Sequence, residues 1–139
     1  MLTEREENFI RSHRIAHMAT ADQTGKPHVV PICYAYEGGF LYSVIDEKPK
    51  KVAPYKLRRV RNIEINPQVA LVIDDYNEDW SRLGFVLIQG NAQILSMGTE
   101  QQRAIKLLRE KYPQYQTMAL EDKPVIKITP ISVKSWGAV

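Results

Sequence analysis

Two tight reversals within the first forty residues constrain this chain more than any other feature. Asp22-Gln23-Thr24-Gly25-Lys26 and Glu37-Gly38-Gly39 each join polar turn formers to a glycine able to take a positive φ. Around them stand runs rich in Val, Ile, Tyr and Phe: Ile15 to Ala21, His28 to Tyr36 and Phe40 to Ile45. The spacing predicts a three-stranded meander. Pro31 lies inside the second run and has no N–H to give, so that strand needs an edge or a bulge.

The rest of the chain follows the same logic. Thr3 with Glu6 is a capping-box pattern that predicts a helix from Glu4 to Ser12, anchored by Phe9 and Ile10. Leu57, Val60 and Ile63 are spaced for a short helix that Asn66-Pro67 stops at Ile65. The unbroken apolar run Val69 to Ile73 predicts a strand buried on both faces. Phe85 to Leu95 is a longer strand in which Gly90 marks a bulge or barrel corner. Thr99 with Gln102 reads as a second capping box, opening a helix that runs to Tyr112. Val125 to Trp136 supplies the last strand. Six strands and two or three helices, in an order that is not βαβα, predict a single domain over residues 1–139: mainly β, an antiparallel α+β barrel.

Composition narrows the function classes. At 44% hydrophobic and 25% charged residues the chain has globular composition. No apolar run approaches the ~18 residues a bilayer span needs, and the acidic start (Glu4, Glu6, Glu7) is unlike a signal peptide. With one cysteine, Cys33, no internal disulfide can form, and a cytoplasmic protein is expected. The seven glycines are scattered, which excludes a dinucleotide fingerprint or a P-loop. His13, His17 and His28 make no metal-ligand pattern. The acidic run Asp74 to Asp79 lacks the glycine and terminal glutamate of a calcium loop, so no metal is expected.

What remains is charge segregation. Seven basic residues and no acid lie between Lys48 and Arg61, within a chain of net charge +3. That pattern can make a local anion site. Lys56, Arg58 and Arg59 suit a phosphate, which arginine's planar fork grips in bidentate fashion. Trp80 and Trp136 could cover an aromatic ring. A chain without a nucleophile–base pair but with these groups fits a protein that holds a reactive cofactor. Nucleic-acid binding through the 48–61 tract is the weaker alternative, because the tract is short and its aromatics do not repeat.

The same residues carry a resemblance. Ala19-Thr20, Gly25, Pro27-His28 and Val30-Pro31 fit an "ATxxxxGxPHxVP" signature across the first hairpin. Arg59-Val60-Arg61-Asn62-Ile63 with Asn66-Pro67 is similar to a later "RxRNI…NP" segment, and Asp79-Trp80-Ser81-Arg82-Leu83 resembles a deazaflavin-dependent subgroup. Together, over about Ile10 to Trp136, they resemble the pyridoxamine 5′-phosphate oxidase-like, FMN-binding split β-barrels. The resemblance implies a six-stranded split barrel, a homodimer, and FMN or the deazaflavin coenzyme F-420 bound between subunits for hydride transfer with a small organic substrate. It places Val30, Pro31 and Ile32 along the ring, and Tyr42 and Ser43 near the ribityl chain. Arg58 and Arg59, helped by Lys56, fall on the phosphate, and Trp80 and Trp136 beside the ring. A non-catalytic flavin or haem carrier is the alternative it leaves open. The oxidases proper have arginine and lysine where this chain has His28 and Cys33, and a longer C-terminal segment, so pyridoxal-phosphate synthesis itself is not expected.

Overall fold

The computed structural model describes residues 2–46 and 56–139. Helix α1 (Glu4–Ser12) begins with the capping box that its sequence announces. The Glu6 N–H donates to Thr3 Oγ1 at 3.1 Å, and the Thr3 N–H donates to Glu6 Oε1 at 2.9 Å. Strands β1 (Ala16–Ala21) and β2 (Pro27–Ile32) form the first hairpin, and β3 (Ala35–Glu37) and β4 (Phe40–Val44) the second. Helix α2 (Arg58–Ile65), β5 (Gln68–Asp75), a 3-10 turn at Trp80–Arg82 and β6 (Gly84–Leu95) follow. The chain finishes with α3 (Thr99–Lys111), a second 3-10 turn at Pro113–Thr117 and β7 (Val125–Gly137).

All pairings are antiparallel, in the order β2-β1-β5-β6-β7-β4-β3. The two outermost strands, β2 and β3, are consecutive in the chain. Ile32 and Ala35 are only three peptide steps apart, at most roughly 11 Å of chain. The sheet must therefore curl until its edges nearly meet, which is the split barrel. The expected three-stranded meander is corrected here. The second run breaks at Cys33-Tyr34, its first half pairing with β1 and its second with β4, and the described residues form seven strands rather than six. Pro31 does lie on an edge strand, where its missing N–H costs no ladder bond.

Gly90 stands at the register shift between β6 and β7, opposite Pro130. A Cβ there would lie 2.3 Å from the Thr129 carbonyl oxygen, so only glycine lets the two backbones approach. Two other expectations change. Helix α3 is capped at Gly98, whose φ of 113° suits glycine alone, and Thr99 makes no capping bond. On β5, Val69, Leu71 and Ile73 are buried, whereas Ala70 and Val72 are half-exposed, so one face of that strand is uncovered.

The curled sheet encloses one core, centred on Met18, Leu71, Ile73, Ile88 and Ile126 and closed by Val60 and Ile63 of α2. A second core lies outside the barrel, where Ile105, Leu108 and Tyr112 of α3 cover Val44 and Val125. Each fully buried leucine or isoleucine contributes ~1.5–3 kcal/mol. Cys33 is half-buried against this second core and packs as a small hydrophobe. Among the described residues, no helix is long and apolar enough to cross a membrane.

Candidate functional site

Helix α2 carries an electrostatic conflict at its start. Its first turn holds Arg58 and Arg59 and no acid, and Leu57 at the N-cap has no side-chain oxygen to accept an amide bond. A helix N-terminus already presents partial positive charge and unpaired N–H groups, so arginines there are locally unfavourable. Such a conflict is relieved by an anion. The space for one exists: a cleft of about 440 Å³ opens between this helix start and the β1–β2 turn, lined by Thr24, Lys56, Arg58, Arg61 and Asn62. Asp22 also lines it, but its Oδ1 already accepts from the Thr24 and Lys26 amides at 2.8 and 3.0 Å and from Thr24 Oγ1 at 2.7 Å.

Behind α2 lies a buried polar cluster. Asn62 Nδ2 donates to Thr20 Oγ1 at 3.0 Å, which fixes the helix to β1. Opposite Thr20 in the ladder stands His28, whose Nδ1 is buried without a hydrogen-bond partner. Burial, then the charges of Arg58 and Arg59, hold the His28 imidazole below its usual range. Arg59 Nε is likewise buried and unpartnered, and burial lowers its guanidinium against the opposing pull of Asp46 and Tyr115. Asp46 in turn accepts from the Tyr115 hydroxyl at 2.8 Å. Buried polar atoms without partners are rare in native structures, so each of these two calls for a physical reason.

The residues singled out from the sequence do not form one pocket within the chain. Lys56 and Arg58 face the cleft, whereas Arg59 turns inward toward Asp46 and Tyr115. Val30 and Ile32 pack against the barrel core, and Pro31 points outward, beside His17. Tyr42 lies beneath α3, its hydroxyl donating to Glu100 Oε2 at 2.8 Å while Lys127 Nζ pairs with the same oxygen at 2.7 Å. Ser43 is buried on the next position of β4. Trp80 and Trp136 are 70% and 55% exposed, and Trp136 stacks on Phe85 at 5.9 Å. Antiparallel pairing sets both tryptophans at the end of the sheet away from the β1–β2 turn. The six residues of β1 separate the two ends by roughly 20 Å.

Three members of this neighbourhood were not assigned to the anion site from the sequence. His28 and Thr20 stand in the signature of the first hairpin, but their inward direction follows from the period of two only once the hairpin register is known. Arg61 stood in the basic tract, and its place in the cleft follows from being three residues after Arg58 on the same helix. The part of the basic tract at residues 48–55 lies outside the described residues. Among those described, no group of three or more His, Cys, Asp or Glu could hold a metal ion.

Comparison with known proteins agrees with this architecture. The family model for pyridoxamine 5′-phosphate oxidase matches residues 2–137. A 5a,11a-dehydrotetracycline/5a,11a-dehydrooxytetracycline reductase from Streptomyces rimosus is 29% identical over 141 residues, 97% of this chain and 82% of that one. Among solved structures, the haem storage protein HutZ from Vibrio cholerae superposes with a TM-score of 0.72 at 18% identity, covering 99% of this chain and 95% of that one. An F-420 reductase superposes with a TM-score of 0.68 at 21% identity, covering 96% and 98%. At such identities the two structures speak for the fold alone. With a split barrel in hand and its family model matched almost end to end, the chain belongs to the pyridoxamine 5′-phosphate oxidase family.

Proposed function

We propose that this protein is a homodimeric oxidoreductase that binds FMN or the deazaflavin coenzyme F-420. One observation carries the reading: the acid-free, basic start of α2 faces an open cleft while His28 Nδ1 and Arg59 Nε stand buried and unpartnered beside it. These groups fit the phosphorylated tail of such a cofactor. Arg58, Lys56 and Arg61 would meet phosphate oxygens from the solvent side, and His28 and Arg59 from within. Bound there, the ring system would supply hydride transfer, a chemistry no side chain of this protein carries.

The protein's own part is to hold and orient. Val30, Pro31 and Ile32 present backbone along β2, an edge strand with one ladder side free, and exposed Pro31 with half-buried Val30 adds apolar surface. The outward face of the sheet, with Val29 64% exposed beside Pro31, half-exposed Ala70, Val72 and Leu87, and exposed Trp136, is uncovered apolar surface. A second copy on this face would exclude water from the ring. It would also bring its own Trp80 and Trp136 toward the basic end, which the same protomer's tryptophans do not reach. The likeness to a dehydrotetracycline reductase supports a reducing direction toward a small organic substrate.

The test is reconstitution. The purified protein is loaded with FMN or F-420, supplied with NADPH or with reduced F-420, and assayed for sustained turnover of an electron acceptor. Retention of one cofactor through gel filtration with steady turnover supports the reading. Retention without turnover makes the protein a carrier, and retention of neither cofactor overturns the assignment of the cleft.

A further inference from the structure

We propose that Lys111 is a modification site for carbon dioxide, its side-chain amine forming a carbamate in the corner between α1, α3 and the β2–β3 link. The proposal concerns a different part of the molecule from the basic cleft and does not depend on the cofactor reading.

Lys111 ends α3, and its Nζ is buried with no hydrogen-bond partner. A lysine in such surroundings ordinarily meets a carboxylate, because an unpaired buried ammonium is costly. Here no carboxylate lies within ion-pair distance of it among the described residues. Instead Nζ sits 4.0 Å from the centre of the Tyr34 ring and 5.5 Å from that of Tyr112. Two π faces offset only part of the lost hydration.

Of the charged neighbours, Arg14 makes matters worse for an ammonium. Arg14, from the α1–β1 link, donates through Nη1 to the Lys111 carbonyl at 2.6 Å and lies over the Tyr112 ring at 5.6 Å. From α1, Arg11 sits over the Tyr36 ring, and the Tyr36 hydroxyl donates to Glu7. From the β2–β3 link come Cys33 and Tyr34, and from α3 itself come Glu110 and Tyr112. Burial pushes the Tyr34 phenol up, and the Tyr34 hydroxyl donates to the Ile10 carbonyl at 2.6 Å, so it is neutral and already engaged. Burial first, then Arg14, pulls the Lys111 amine down to about 8, against a smaller opposing effect of Cys33. At neutral pH a fraction on the order of a tenth is the free, nucleophilic amine.

Burial of Nζ shuts out bulky electrophiles and favours a small, uncharged one. A groove of about 300 Å³ lined by Arg11, Ala35, Tyr36, Leu107, Glu110 and Lys111 gives a route from solvent to the side chain. In the reaction the Nζ lone pair forms one C–N bond to the carbon of CO₂. One C=O π pair moves onto oxygen, one proton leaves to solvent, and nothing is oxidised or reduced. The product is an anion beside Arg14. The like-charge repulsion of the unmodified site becomes an attraction, and the amine's unmet polarity is exchanged for a carboxylate that a guanidinium can hold.

The experiment equilibrates the full chain with ¹³C-labelled bicarbonate and CO₂, traps carbamates with triethyloxonium, and maps the ethoxycarbonyl group by mass spectrometry. Label is expected on Lys111 and not on exposed Lys106 of the same helix. It should rise by roughly 50-fold or more between pH 6 and pH 8 at low, constant dissolved CO₂, disappear in Lys111→Met, and fall severalfold in Arg14→Gln. A carbamate carbon signal in the ¹³C spectrum of the untrapped protein, absent in Lys111→Arg, gives a second readout that keeps a cation at the position. Equal labelling of Lys106 and Lys111, or no carbamate carbon signal from the untrapped protein at saturating CO₂, overturns the proposal.

Discussion

Replacing Arg58 and Arg59 one at a time separates the outer from the inner half of the basic site. Arg58 is exposed and lines the cleft, so Arg58→Ala removes a cleft-facing cation without disturbing any buried contact. A hydrogen bond to a charged group is worth ~1.5–3 kcal/mol, which weakens cofactor binding by roughly 10- to 150-fold. Thermal stability of the cofactor-free protein should stay within about 0.5 kcal/mol of the parent, as for most surface changes. Arg59 differs: it is half-buried, and its charge acts on Asp46 and Tyr115. Arg59→Ala should weaken binding comparably and also destabilise the free protein by roughly 0.5–3 kcal/mol, as polar truncation inside a network does. Titration of FMN or F-420 by fluorescence, paired with chemical denaturation of the unliganded variants, reads both quantities. If Arg58→Ala binds cofactor within twofold of the parent, phosphate does not occupy this cleft and the reasoning fails.

Three further outcomes follow from the packing. Gly90→Ala forces a Cβ against the backbone of Thr129 and Pro130, at 2.3 and 3.2 Å, and should cost roughly 1–3 kcal/mol by denaturant titration; a loss under about 0.5 kcal/mol would mean the strands separate freely at the bulge. Glu6 is buried and accepts from Ser135 Oγ at 2.7 Å and from the Thr3 amide, which holds its carboxyl below the ordinary 4.5. That contribution is full above the ordinary value and fades as pH falls through the lowered one, so Glu6→Gln should flatten the melting temperature's decline between about pH 5 and pH 3; parallel curves would refute it. Val29→Glu places a charge on the uncovered sheet face; on the dimer proposed above, size-exclusion chromatography should show the parent as a dimer and this variant as a monomer.

Local chemistry was legible wherever a feature depended on a few neighbouring residues. Thr3 and Glu6 announced the first helix because both halves of the capping box lie in sequence. Pro31 demanded an edge and Gly90 a bulge because each removes a backbone option. Features set by closure were not legible. Nothing at Cys33-Tyr34 marks a break, since both residues suit a strand; the break exists because the curled sheet hands the chain from one edge to the other. Thr99 looked like a cap because Gly98, one residue earlier, takes the position through a positive φ that short-range pattern does not reveal. The half-exposed side of β5 depends on what covers the sheet, which an apolar run does not encode.

The site divides along the same line. The basic tract before Asn66-Pro67 stood out by composition, but which arginine faces the cleft is a matter of helix phase against a particular barrel wall. His28 stands in the signature of the first hairpin, but its place opposite Thr20, within reach of the arginine charges, comes from the hairpin register.

The central claim is that the mouth of the barrel beside α2 takes the phosphorylated tail of a planar redox ring. The absorbance spectrum of freshly purified protein, with mass spectrometry of whatever it releases on denaturation, tests this most directly. A flavin or deazaflavin band in the visible or near-ultraviolet, and release of FMN or F-420, is the predicted result. A Soret band with released haem, or a protein that stays colourless after incubation with either cofactor, would contradict it.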